Sequence, residues 1–195
     1  TNTPPTNDDF QFILLLFNDL QPSNLKMPLV NRILACAFSS CLLFSSANAV
    51  GDENLAEILR NAKWDGIVGT WVDENTNGKS LSSTFSWKIK NRVLENSSRQ
   101  GKEKEDVSLI GVNAKTGQIF NMSAGSDGGS SLGEWKFSAS GEASLGILYT
   151  AGTGQEGALS IRYRLVNQDT LEMTVDLPQP ITYRLIRAKE KTIQR

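Results

Sequence analysis

The chain has no histidine among its 195 residues and only two cysteines. Without imidazole there can be no Ser-His-Asp triad, no Cys-His pair, no histidine-ligated haem and no histidine-containing zinc site. Both cysteines, Cys36 and Cys41, lie in one short apolar stretch near the start, so the rest of the chain holds neither a disulfide nor a thiol. A basic excess is missing as well. With 20 Lys+Arg against 21 Asp+Glu, the balance argues against nucleic-acid binding, which normally needs a positive patch. No apolar run reaches the ~20 residues that a membrane-spanning helix requires. Any chemistry is therefore left to Asp, Glu, Lys, Arg, Tyr and hydroxyl groups.

What is present early in the chain reads as an address. Residues 27–49 are MPLVNRILACAFSSCLLFSSANA. A short start with one positive charge, Arg32, leads into an apolar stretch from Ile33 to Phe44, then to Ser45, Ser46 and the small-residue tripeptide Ala47-Asn48-Ala49. This is the three-part pattern of a secretory signal peptide cleaved after Ala49. It predicts export to the periplasm, the cell envelope or the medium. A lipoprotein reading through Ile33-Leu34-Ala35-Cys36 leaves almost no apolar region before the cysteine. Residues 1–26 precede this leader and contain a Pro/Asn/Asp run and the eight-residue FQFILLLF. They read as a non-native or disordered extension upstream of a true start at Met27, which N-terminal sequencing of the native protein decides. Removing residues 1–49 takes away Lys26, Arg32, Asp8, Asp9 and Asp19, so 18 basic and 18 acidic residues balance in the remaining 146. Residues 50–195 are expected to form a single domain.

Within that domain one helix is predicted. Asp52-Glu53-Asn54 supplies capping residues, Leu55, Ile58, Leu59 and Ala62 recur at helical spacing, and Gly66 ends the pattern. Everything after Gly66 reads as short strands. Leu81, Ser83, Phe85, Trp87 and Ile89 alternate with Ser82, Thr84, Ser86 and Lys88. The same period of two runs through 158–166, 171–177 and 181–185, and it marks antiparallel strands with one buried face. Turn chemistry recurs every 8–14 residues, at Asn75–Gly78, Arg99–Lys102, Asn113–Gly117, Ser126–Gly129, Ser140-Gly141, Gly152–Gly157, Asn167–Thr170 and Pro178–Pro180. A long meander escapes exposed edges by closing on itself. The expectation is an all-β, antiparallel up-and-down barrel of about 8–10 strands with one N-terminal helix across an end; an open sheet or sandwich is the alternative.

Gly69-Thr70-Trp71 directly follows the helix. A helix, then G-x-W, then a β-meander resembles the lipocalin and fatty-acid-binding superfamily, the calycins. In those proteins the tryptophan sits at the closed end and a basic residue from the last strand packs across it. The resemblance implies Arg187 for that role, with Arg184 second. WDGIVGTWVDE (64–74), the Asn91-Arg92 turn, SLIGVNAKTGQI (108–119) and SDGGSSLGEW (126–135) further resemble a lipocalin-like domain of exported bacterial, planctomycete-type proteins of unknown function. The chain departs from that pattern at Val112-Asn113, where the family favours an aromatic and an Asp, and it lacks the second small domain that often accompanies this one. Haem-binding relatives use an axial histidine, so no haem and no other cofactor is implied here.

Two site readings follow. Asp73, Glu74, Asp127, Glu134 and Asp169 could supply paired carboxylates for acid–base hydrolysis, although three of them fall at turns, where Asp serves its own backbone. The glycine-rich 126–131 lacks the strand-to-helix context of a phosphate loop, DENTNG (73–78) is too short for a calcium loop, and 100–106 reads as a solvated turn. The aromatic set Trp71, Phe85, Trp87, Phe120, Trp135, Phe137, Tyr149, Tyr163 and Tyr183 is where ligand binding would reside. The preferred reading is non-enzymatic binding of a small, largely apolar molecule in the lumen, with Trp71, Phe85, Trp87, Tyr149, Tyr163, Met173 and Tyr183 as lining candidates. A cell-envelope interaction module with a filled barrel is the alternative, and the oligomeric state is left open.

Overall fold

In the computed structural model, residues 54–189 are described. The expected leader with its Ala47 and Ala49, and the expected extension 1–26, lie outside the described residues. Helix α1 spans Leu55–Asn61. Its start is a reciprocal capping box: the Asn54 side chain accepts from the Glu57 backbone N–H at 3.1 Å, and the Glu57 carboxylate accepts from the Asn54 N–H at 3.2 Å. Leu55 and Leu59 form its buried face. The helix ends well before Gly66. Lys63 takes a left-handed conformation (φ 61°) and the Trp64 N–H donates back to the Leu59 carbonyl at 2.6 Å, so the chain turns without needing a glycine. A short 3-10 turn, Asp65–Ile67, then feeds the first strand.

Ten strands follow: β1 Gly69–Asp73, β2 Leu81–Ile89, β3 Val93–Gln100, β4 Lys104–Val112, β5 Ile119–Gly125, β6 Ser130–Phe137, β7 Glu142–Thr150, β8 Glu156–Asn167, β9 Thr170–Val175 and β10 Ile181–Arg187. Each pairs antiparallel with the next, and β10 pairs with β1. The sheet is an up-and-down barrel with no free edge, as the strand alternation predicts. One sequence expectation is corrected. Gln100–Asp106 is mostly strand, with its turn confined to 101–103, because Lys104 and Asp106 point inward while Glu105 points outward and pairs with Arg99.

Register sorts the side chains. Opposed residues share a face, so the row Trp71–Ser83–Ser98–Asp106 and its parity partners line the interior. Toward the end covered by α1 these positions hold Phe85, Leu94, Ile110, Ile119, Trp135, Leu145, Leu171 and Leu185, all buried. Trp135 stacks on Phe137 with ring centroids 5.6 Å apart and contacts Tyr163 at 4.9 Å. The void left between this core and α1 is about 10 Å³, room for about one water at most. This end is packed solid.

Candidate functional site

The lock at the closed end is built around Trp71, which is completely buried. Its indole N–H donates to the Ile67 carbonyl at 2.7 Å, and the guanidinium carbon of Arg187 lies 4.3 Å above its ring. Arg187 also donates to the Val68 and Gln168 carbonyls at 3.0 and 2.9 Å, and to that of Gly66. One side chain thus ties β10 to the 3-10 turn and to the β8–β9 turn. The glycine two residues before the tryptophan has a steric cause: Gly69 adopts φ +133°, and a Cβ there would overlap Nη1 of Arg187. Arg187 thus lies across Trp71, whereas Arg184 faces outward and pairs with Glu74 at 3.0 Å.

Farther along the same strands the interior changes character. The inward positions of β3–β6 become Asn96, Ser98, Asp106, Ser108, Asn121, Ser123 and Ser131. Their hydroxyls and amides bond locally, Ser83 to Asn96 at 2.6 Å and Ser123 to Ser131 at 2.6 Å. Across the ring, β7–β10 present Ile147, Tyr149, Leu159, Ile161, Met173, Val175, Ile181 and Tyr183. A polar wall thus faces an apolar one. Most residues of both walls in this half are part-exposed rather than buried, because among the described residues no helix covers this end. The ring of Tyr149 lies against Gly157 on the neighbouring strand, in the space a Cβ would fill.

Charge gathers at this open rim. Oδ1 of Asp106 and Oδ1 of Asp127 converge over Gly125, 2.6 and 2.9 Å from where its Cβ would stand. Burial and the neighbouring Asp127 raise the Asp106 carboxyl above the usual range, against the pull of Lys104. Asp127 is lowered by the Gly129 N–H, which it accepts at 2.9 Å, and by Lys104 at 3.0 Å.

The seven lining candidates all point inward. Trp71, Phe85, Tyr163 and Tyr183 are sealed in the core, where burial also pushes the Tyr163 hydroxyl upward in pKa. Trp87, Tyr149 and Met173 are half-buried. Phe120, expected among the ligand-binding aromatics, instead covers Gly111 on the outer wall, since it sits between inward Ile119 and Asn121. The five carboxylates considered for catalysis do not converge. Asp73 accepts from Thr76 and Ser80 in its own hairpin, Glu74 and Glu134 face outward, Asp127 serves the β5–β6 turn, and Asp169 lies beside Arg187. Reading 100–106 as a turn hid Asp106, whose inward face is fixed only by register with Ser98 and Ser83.

The outer wall contributes a second concavity. Met122, Leu132, Leu148 and Ala158 form one outward row across β5–β8, and Leu132 and Leu148 are 63 % and 69 % exposed. Beside this row an open trough of about 600 Å³ runs over Gly146, flanked by Glu134, Ser160 and Asp176. Among the described residues no group of three or more Cys, Asp or Glu side chains is placed to hold a metal ion, and no helix is long and apolar enough to cross a membrane. No protein-family model matches this chain, and no curated protein is similar to it. The closed antiparallel ten-stranded barrel is compatible with a lipocalin-like fold.

Proposed function

We propose that this is an exported, calycin-like barrel of the planctomycete type that binds a small molecule with a substantial apolar face in the open half of its lumen. The export rests on the leader pattern of residues 27–49, and the kinship on the Gly69-Thr70-Trp71 motif together with the Trp71–Arg187 stack. One observation carries the binding reading. Inward residues are mostly buried toward the helix and mostly part-exposed toward the other end, where a wall of serines and asparagines faces a wall of aliphatic side chains. Such a surface suits a ligand that offers hydrogen-bonding groups to one side and hydrocarbon to the other. Tyr149 and Met173 then contact the ligand, while Trp71, Phe85, Tyr163 and Tyr183 form the floor that supports it; Trp87, opposite Leu94, belongs to the helix end.

Binding is tested with the neutral fluorescent amine N-phenyl-1-naphthylamine and by native mass spectrometry of the purified protein. The expected result is saturable one-to-one binding that Ser123→Trp abolishes by filling the open half and that Leu132→Ser on the outer wall leaves unchanged. Absence of saturable binding, together with no co-purifying small molecule, sinks the proposal.

A further inference from the structure

We propose that the outer trough over Gly146 docks a segment of a partner protein that presents an arginine or lysine between large apolar side chains. The apolar half of the site is the row of Leu132, Leu148 and Ala158, whose two leucines are among the most exposed large hydrophobic residues described. Neighbouring exposed apolar side chains of this kind mark interaction surfaces. The cationic specificity comes from Glu134. Register places it directly beside Gly146, with Ser160 on the far side of that glycine, and the space above Gly146 is empty. A long side chain can lie there with its stem along the leucines and its head against the carboxylate.

Several carboxylates elsewhere on the outer wall are paired. Glu95 pairs with Lys88, Glu105 with Arg99, Glu172 with Arg164 and Glu74 with Arg184. Asp176, at the trough's far rim, is held by both Nε and Nη2 of Arg162. Among the described residues Glu134 is the one trough carboxylate with no ion pair, and Lys136, two residues along the same face, makes none either. The carboxylate is half-buried among apolar groups, a setting in which an incoming cation gains more than at an open surface.

The same features argue against other occupants. A second copy meeting this trough about a two-fold axis would set Glu134 near its own equivalent, like charge toward like. A lipid surface would bring the neighbouring wall with it, where Glu142, Arg164, Glu172 and Arg184 alternate across β7–β10, and that ladder does not enter hydrocarbon. Strand addition is closed off because the barrel has no free edge.

The test uses the full chain and three labelled twelve-residue peptides that differ at their centre, Leu-Arg-Leu, Leu-Glu-Leu and Ser-Arg-Ser. Fluorescence anisotropy is expected to give saturable binding for the first and at least about tenfold weaker binding for the other two, the size of one charge-assisted contact. Glu134→Gln weakens the first about tenfold, and Leu132→Ser with Leu148→Ser abolishes it. Amide shifts in two-dimensional NMR are expected at Leu132, Glu134, Gly146 and Leu148. Equal binding of the Arg and Glu peptides overturns the proposal, as do unchanged binding in Glu134→Gln or shifts mapped elsewhere. Leucine-dependent dimerisation in sedimentation, or leucine-dependent flotation with phosphatidylglycerol vesicles, in place of peptide binding, overturns it too and names the true occupant.

Discussion

Toward the helix, the inward residues of β3–β7 are Leu94, Ile110, Ile119, Trp135 and Leu145, none more than 7 % exposed. Two to four residues farther along the same five strands they are Ser98, Ser108, Ser123, Ser131 and Tyr149, all part-exposed. The strands, their register and their alternation do not change between these two regions. Only the chemistry of the inward side chain does, together with the presence of a lid. The comparison teaches that barrel stability is concentrated at one end, which leaves the other free to carry polar groups that a sealed core could not hold without full hydrogen bonding.

The sharpest way to break this asymmetry is to attack the lock. Trp71→Ala removes a fully buried indole, its 2.7 Å bond to Ile67 and the platform for Arg187. Loss of about 3–5 kcal/mol is expected, as for other buried aromatic truncations, measured by urea unfolding. A deletion at the other end, Ser108→Ala, is expected to stay within about 0.5 kcal/mol, as for substitutions away from packed or networked groups. Equal costs at the two ends would remove the distinction on which this reading of the barrel stands.

A second, smaller effect separates the two reasons for Gly69. Alanine there meets both an unfavourable φ of +133° and the Arg187 guanidinium. The expected cost is about 2–3 kcal/mol, of which roughly 1–2 kcal/mol is backbone strain. In an Arg187→Ala background the steric part disappears, so Gly69→Ala should then cost only the backbone share. Strict additivity of the two substitutions would show that the close approach carries no energy.

The closed end was legible in the sequence and the open end much less so. Phe85, Tyr163, Leu171 and Leu185 announce a buried face because large apolar residues at period two have one sensible destination. The G-x-W motif and the parity of Arg187 with Tyr183 located the lock. On β4–β6 the same rule misleads. Val107, Leu109, Met122 and Leu132 alternate with Ser108, Asn121, Ser123 and Ser131 as cleanly as any strand, yet it is the serines that face inward. Alternation identifies two faces without saying which is the lumen, and only closure of the ring fixes that through register with Trp71 and Ser83. For the same reason the outer trough could not be seen. Glu134, Gly146 and Ser160 meet across three strands, a relation that no local pattern encodes.

The smallest effect tests the polar rim. Burial and Asp127 hold the Asp106 carboxyl above its usual range, so the folded state keeps that proton more readily than the unfolded chain does. Stability from this group therefore falls as pH rises through the interval between the unfolded and folded values, and the full penalty is present at neutral pH. Asp127 and Asp176 run the opposite way. Their lowered carboxyls lose stabilisation as pH falls through their folded values, but both remain in the variant and cancel in the comparison. Asp106→Asn removes the penalty at the cost of the attraction to Lys104, which ranks below burial among the influences on this carboxyl. The variant is thus expected to melt about 1–3 °C higher than the parent at pH 7, with the gain vanishing near pH 3, where Asp106 is protonated in both states. A gain independent of pH, or a loss at pH 7, would mean that the rim carboxylate is solvated like a surface group and that the open half is wetter than its part-buried side chains imply.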